Sequence, residues 1–392
     1  MNQSNKIVKI AVVCKLLPLY RLGIFQNLCS YTDGLEFTLF GDTKNQGGIE
    51  SITKAQLENG ILRWQKTSNY FYKPELLLWQ TDILKRILLS DFKVFIFEGA
   101  VSHFPIWLFA LLCKLMKKKV IFWTHGFKGN DQGIKRLVRF IFFKYFADEL
   151  FLYGLHQKNL MVSKGFDPNK IHVIFNSLRP EIQFKAINSL NMTQVLIEKN
   201  AMFNEPGAFT LIFIGRLTSS KKAIEIAKAC KQLLKSGLKV NLIIIGDGPE
   251  KHNIMKFFQL NDMMSQVCFT GSLYDENNIA KYFAMSDLMI SPGNVGLNCM
   301  HSLAYGVPVL THDNFRFQGP EVEAIVNGKT GLIYRYNDFT DMTDKLKGWI
   351  ESNIDAQTTR IECQTIINKI YNPSYQTFCI TTAIKKMLYN AK

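Results

Sequence analysis

The sequence predicts an α/β protein built as two doubly wound domains, each a parallel sheet with helices on both faces. Three observations carry this. Short β-rich apolar runs alternate with amphipathic stretches along the chain, the pattern of parallel strands joined by crossover helices. The 392 residues are too many for one compact core and suit two of ordinary size. The alternation breaks once, over residues 176–207, a polar and Asn-bearing stretch without a strand pattern.

In order along the chain, strands are expected at 7–13, 36–40, 94–97, 120–123 and 149–153, with a weaker pattern at 171–174. A second series follows at 210–214, 240–245, 267–270, 288–290 and 309–311. Helices are expected at 297–305 and 375–388. The resulting organisation is a first domain over 1–185, a linker over 186–207, a second domain over 208–370, and a C-terminal helix within 371–392 returning to the first. Doubly wound domains bind ligands outside the carboxyl ends of their strands, so the residues following each strand are the ones to inspect.

Composition narrows the class. Hydrophobic residues make up 47% and charged residues 20%, a globular rather than a disordered balance. The net charge is +15, and residues 1–190 hold 26 Lys and Arg against 14 Asp and Glu, so +12 of it lies in the first half. Such a half attracts polyanions: nucleic acid, phosphorylated ligands or an anionic membrane face. The eight cysteines show no CxxC pair or metal-ligand spacing, and several, such as Cys14 and Cys113, lie in apolar runs. They read as reduced core residues of a cytosolic protein. Residues 7–13 are too short for a secretory h-region, and the longest apolar run, 104–116, is interrupted by Lys114 and short of a bilayer span. Any membrane contact is therefore expected to be peripheral.

Four segments carry candidate chemistry. FIGRLTSSKKA (213–223) follows a strand with Gly215, Arg216 and Lys221; a guanidinium and an ammonium a few residues apart can converge on one diphosphate. Ser219 or Ser220 is placed to cap the next helix. IIIGDGPE (243–250) turns sharply after its strand at Gly246. SDLMISPGNVGLNCMHSLAYGVPVLTHD (286–313) opens a loop at Gly293 and Gly296, with backbone amides at Val295, Gly296 and Leu297 suited to an anion, and His301 one turn into the following helix. QGPEVEAIVNGKTGLIY (318–334) brings Glu321 and Glu323 ahead of a tight turn, where a carboxylate can accept from sugar or ribose hydroxyls. Singly, each also reads as ordinary structure: a solvated basic turn, a strand-to-helix turn, a packed helical histidine, two surface acids.

In this order the segments resemble glycosyltransferase family 4, the large retaining family of the GT-B fold. FIGRLTSSKKA is similar to that family's GRL-x3-K donor motif, IIIGDGPE to its GDGP segment, and VCFTGSLYDENNIAKYFAMSDLMISP (267–292) to its FxG…SD…SP stretch. The likeness is clearest over 209–334, roughly a third of the chain. It implies two Rossmann-like domains facing a central cleft. Arg216 and Lys221 would hold the donor diphosphate, amides near Gly296 and Leu297 would lie under the phosphates and sugar, and Glu323 aligns with the acid before the family's NGxTG turn. One departure stands out: where the family has two glutamates eight positions apart, for the donor sugar and the ribose, this chain has Gly293 and His301.

In the first half, CKLLPLYRLGIFQNL (14–28) looks like the PxYR pattern of relatives and marks Tyr20 and Arg21 as acceptor-side residues, although the family's Gly-Gly is missing. FWTHGF (122–127) puts His125 at a strand end, where it can hydrogen-bond a donor sugar or an acceptor hydroxyl. No DxD motif is present, so no metal cofactor is expected and catalysis falls to His125, Arg216 and Lys221. Between 114 and 144, Lys117, Lys118, Lys119, Lys135, Arg136 and Arg139, with other cations, face only Asp131 and lie among aromatics, which suits a peripheral contact with an anionic leaflet; a plain solvated basic face is the competing reading.

The expected function is metal-independent, retaining transfer of a sugar from a nucleotide-sugar donor, UDP-linked ahead of GDP-linked, to a lipid-linked or cell-envelope polysaccharide acceptor such as lipopolysaccharide or capsule. The setting is the cytoplasm, at the inner face of the membrane. Two other readings stay open: a non-catalytic GT-B partner subunit and a GT-B-like sugar-nucleotide epimerase. No recognised nucleic-acid motif accompanies the charge, so nucleic acid is not an expected partner.

Overall fold

A computed structural model describes residues 7–44, 50–72, 77–80, 82–127, 133–352 and 354–389. The chain divides into two compact units, Met1–Leu178 with Pro373–Lys392, and Arg179–Asn372.

The first unit runs β1 (Val8–Leu16), α1 (Leu22–Ser30), β2 (Leu35–Asp42), α2 (Lys54–Glu58), β3 (Trp64–Lys66), β4 (Asn69–Tyr72), β5 (Leu77–Gln80), α3 (Ile83–Leu89), β6 (Val94–Glu98), α4 (Phe104–Leu115), β7 (Lys119–Thr124), α5 (Gly133–Phe146), β8 (Glu149–Leu152), α6 (Leu155–Val162) and β9 (Ile171–Val173). Its main sheet is parallel with strand order β3-β2-β1-β6-β7-β8-β9; β4 and β5 form a separate antiparallel pair. The middles of the central strands are apolar because helices cover both faces: Val12 pairs with Leu39 on one side and Ile96 on the other, and all three are buried.

The second unit runs α7 (Pro180–Asn188), α8 (Met192–Met202), β10 (Phe209–Ile214), α9 (Ala223–Lys235), β11 (Val240–Ile245), α10 (Lys251–Leu260), β12 (Val267–Gly271), α11 (Glu276–Ala284), β13 (Leu288–Ile290), α12 (Asn298–Ala304), β14 (Val309–His312), β15 (Gly331–Tyr334), α13 (Phe339–Glu351) and α14 (Ala356–Lys369). The sheet is parallel, with order β12-β11-β10-β13-β14-β15. On α9, Ile226, Cys230 and Leu233 recur at helical spacing and enter the core.

The stretch 186–207, read from composition as a linker, carries the end of α7 and all of α8 within the second unit. Its asparagines explain the difference. The Asn191 side chain accepts from the Thr193 and Gln194 amides and caps α8, so the polar residues start a helix. The last helix, α15 (Pro373–Tyr389), belongs to the first unit, where Ile380, Ala383, Ile384 and Met387 enter the core beside Leu28 and Phe37. Among the described residues no helix is long and apolar enough to cross a membrane.

Candidate active site

In the second unit, the turns after β10 and β11 touch backbone to backbone. Gly246 has φ +145°, and a Cβ there would lie 2.0 Å from the Gly215 carbonyl oxygen, so only glycine permits the approach. The Gly215 amide donates to the Ile245 carbonyl (2.9 Å) and the Leu217 amide to the Asp247 carbonyl (2.9 Å). This clamp presents Arg216 at the carboxyl end of β10, exposed and with no ion pair or side-chain hydrogen bond among the described residues. Lys221 ends a 3-10 turn, Ser219–Lys221, and its Nζ donates to the Asn294 carbonyl at 2.5 Å. Burial lowers the ammonium's pKa. Ser219 and Ser220 do not cap α9. Lys222, in the left-handed region at φ 52°, occupies that position, because the chain makes the 3-10 turn before the helix can begin.

The loop between β13 and α12 lies on this turn. A Cβ on Gly293 would sit 2.3 Å from the Ser220 carbonyl oxygen and 2.8 Å from Lys221 Cα. No side chain fits there, and the glutamate that the resemblance places at this position is sterically excluded. Of the three amides expected to be open, Val295 is not: its N–H donates to Oε1 of Gln318 at 3.0 Å. Gln318 is only 8% exposed and also donates to Thr311 Oγ1 at 2.8 Å, so a buried amide side chain braces the loop from beneath. The Gly296 and Leu297 amides have no acceptor among the described residues. Asn298 Nδ2 fastens the start of α12 to the Ile214 carbonyl (2.6 Å).

His301 is not a lone helical histidine. Its Nε2 lies 3.0 Å from Oε2 of Glu276, the first residue of α11; the same oxygen accepts from the Tyr305 hydroxyl, and Oε1 accepts from Gln183 Nε2 at 3.0 Å. Burial raises the Glu276 pKa, but the hydrogen bonds from His301, Tyr305 and Gln183 outweigh it, and the carboxyl stays below its ordinary value. The other ring nitrogen of His301 has no hydrogen-bond partner among the described residues. Residues from α7, α11 and α12 thus meet on one carboxylate.

Glu323 is half-buried in the 3-10 turn Pro320–Ala324, while Glu321 is the more deeply buried of the two. A Cβ on Gly319 would meet Glu321 Oε2 at 2.2 Å and Gly296 Cα at 3.5 Å, so the Glu321 carboxylate packs against Gly319, which itself lies close to the loop.

In the first unit, the strand ends gather a second polar group. Arg21 Nη2 donates to the Tyr153 hydroxyl (2.5 Å), Nη1 stands 3.4 Å from Glu98 Oε1, and the guanidinium lies 5.1 Å from the Trp123 ring centroid. Glu98 also accepts from the Lys15 amide (3.1 Å). The His125 ring is exposed and lies 4.7 Å from that of Tyr153. Tyr20 is partly exposed beside them, its ring 5.7 Å from the Arg21 guanidinium. Glu98 ends β6 and Tyr153 follows β8, and neither carried a motif; their only signal was position after an apolar run.

The basic run divides. Lys117, Lys135 and Arg136 are exposed, Lys119 is half-buried in β7, and Arg139 Nη1 donates to the Gly126 carbonyl at 3.3 Å. Lys118 corrects the expectation: it is 8% exposed, its Nζ donates to the Ser90 carbonyl (2.8 Å) and lies 5.5 Å from the Phe95 ring centroid, because it directly precedes the central strand β7. Lys128 and Asp131 lie outside the described residues.

Comparison with known proteins agrees with this architecture. Residues 197–365 match the family model described as glycosyl transferases group 1. The alpha-monoglucosyldiacylglycerol synthase of Streptococcus pneumoniae is 29% identical over 204 residues, 51% of this chain and 42% of that protein. The chain spans about half the length of the curated relatives it matches. Among solved structures, a glycosyltransferase from Rickettsia africae superposes with a TM-score of 0.71 at 15% identity, covering 98% of this chain and 99% of the other. The Anabaena protein HepE, in complex with UDP and glucose, gives 0.67 at 13% identity over 96% and 99%. The fold is that of the GT-B glycosyltransferases. The stretch that matches the group 1 family model, 197–365, lies within the second unit.

Proposed function

We propose that this protein is a glycosyltransferase that moves a sugar from a nucleotide-sugar donor to a lipid-linked or cell-envelope polysaccharide acceptor, with retention of anomeric configuration and without a metal or other cofactor. The observation that carries the reading is the convergence of Lys221 on the loop that offers the Gly296 and Leu297 amides, beside the exposed guanidinium of Arg216. As the bond from sugar to phosphate breaks, negative charge grows on the departing diphosphate, and fixed cations and amides meet it without reorganising. UDP is preferred over GDP; the fold relative in complex with UDP and glucose supports that order.

Gly293 favours attack from the face the diphosphate leaves, because no carboxylate fits at that position to act as a nucleophile. At the position of the ribose-binding glutamate, His301 supplies an acceptor by other means. With Nε2–H donated to Glu276, Nδ1 keeps its lone pair, giving it the polarity of a carboxylate toward a ribose hydroxyl. Glu323 is the second hydroxyl acceptor in this reading. Tyr20, Arg21 and His125 form the acceptor end, with His125 hydrogen-bonding a reacting hydroxyl. The place of action is the cytoplasmic face of the membrane, supported by the exposed Lys117, Lys135 and Arg136.

The test is saturation-transfer NMR against UDP- and GDP-sugars, with and without chelator. Selective, chelator-resistant binding that weakens in Arg216→Ala and Lys221→Ala is the expected result. No binding to any donor overturns the donor site, and binding with neither transfer nor donor hydrolysis favours a non-catalytic subunit.

A further inference from the structure

We infer that the first unit docks on an anionic lipid surface through one apolar face built by α4 and α5, the cations standing around it. This rests on the membrane-side reading above for its setting, but on different residues.

Each helix is apolar on both sides. α4 turns Ile106, Phe109, Ala110 and Cys113 into the core, yet Phe104, Leu108, Leu111 and Leu115 are exposed, the last by 69%. Those four recur at i, i+4, i+7 and i+11, one helical face. α5 buries only Phe142 and Phe143, and exposes Ile134 (80%), Leu137, Val138 and Ile141 at i, i+3, i+4 and i+7. The helices are neighbours: the Trp107 ring of α4 lies 4.7 Å from Phe142 and 5.0 Å from Phe146 of α5. A surface helix ordinarily shows solvent its polar side. Two adjacent helices showing leucine and isoleucine instead make a contiguous patch of the kind that meets a partner.

Charge selects the partner. Neither helix contains an acid. Lys117, Lys135, Arg136 and Lys144 are exposed at the ends and flanks, and Lys114 stands 4.0 Å from Asp148. A second copy of the chain would set these cations against one another. A leaflet with anionic headgroups over a hydrocarbon interior satisfies the basic rim and the apolar face together. The apolar side chains enter the boundary between headgroups and acyl chains, and the cations stay at headgroup level.

The experiment is flotation of the full-length protein with phosphatidylcholine vesicles, with and without phosphatidylglycerol. Wild type is expected to float with the anionic vesicles, and high salt to reduce the bound fraction. Leu111→Asp with Ile134→Asp is expected to lower partitioning at least tenfold, with melting temperature and UDP-sugar binding unchanged because both positions are exposed. Lys135→Glu with Arg136→Glu is expected to weaken binding at low salt only. Wild-type indifference to anionic vesicles, or aspartate variants that float like wild type, overturns the docking face while intact UDP-sugar binding leaves the transferase reading standing. Aspartate variants that turn a dimer into a monomer without changing flotation overturn it in favour of a second copy.

Discussion

Arg216 and Lys221 leave the same turn but are held differently. Lys221 is fixed across the loop, whereas Arg216 is exposed with no side-chain partner among the described residues. Lys221→Ala is therefore expected to lower kcat by about 100- to 1000-fold, as loss of a preorganised charge-stabilising donor does. Arg216→Ala is expected to act mainly on donor KM, by roughly ten- to a hundredfold, as loss of a hydrogen bond to a charged group does; steady-state kinetics separates the two. Glu276 gives a sharper test. In Glu276→Gln the amide can donate to Nε2, which moves the imidazole proton to Nδ1 and turns an acceptor into a donor. Donor KM should rise about tenfold, as for one hydrogen bond lost, with little change in kcat. Adding His301→Glu to Glu276→Gln should recover it, and failure of the pair to recover would reduce Glu276 to a structural staple. His312 sets a pH response. Burial, with the Lys222 charge behind it, pulls the imidazole pKa down to about 4. The folded value lies below the ordinary one, so the unfolded chain takes up the extra proton. Stability is complete above pH 6.5 and falls toward pH 4, by on the order of 3 kcal/mol. Melting curves across that range should slope less in His312→Gln.

At the scale of elements, the loop from β13 to α12 is fixed by contact with another backbone. Gly293→Ala forces a methyl to 2.3 Å from the Ser220 carbonyl oxygen. The loop must lift, at a cost of about 1–3 kcal/mol by analogy with overpacking. Lys221 then loses its seat on Asn294, so calorimetry should show weaker donor binding along with the lower melting temperature. The same elements show what the amino-acid order reveals. Central strands such as β1, β6, β10 and β11 are buried through their middles and read as apolar runs with polar residues only near their ends, such as Lys9, Glu98, Thr210 and Asn241. Two of the edge strands do not: β3 is Trp-Gln-Lys with two exposed residues, and β15 follows a turn so closely that the turn masks it. Local motifs marked Arg216, Lys221, Gly296 and Leu297. Glu276 and Gln318 escaped notice because they meet His301 and Val295 across 25 and 23 residues, and Tyr153 meets Arg21 across 132. No spacing rule reaches so far. The outward faces of α4 and α5 were equally hidden, since an apolar side chain carries no mark of whether a core or a solvent awaits it.

At the scale of the molecule, the second unit is one continuous stretch, Arg179–Asn372, whereas the first takes residues from both sides of it. Removal of 373–389 would uncover Leu28, Phe37 and their neighbours, which Ile380 and Ile384 otherwise cover. Proteolysis should then attack the first unit while the second stays resistant. The split also imposes a sequence of events on biosynthesis. Every residue of the second unit leaves the ribosome before α15 does, so that unit is able to fold while the first still lacks a wall of its core. The half that begins translation is the half that finishes folding last, and in the interval its open core is a target for chaperones.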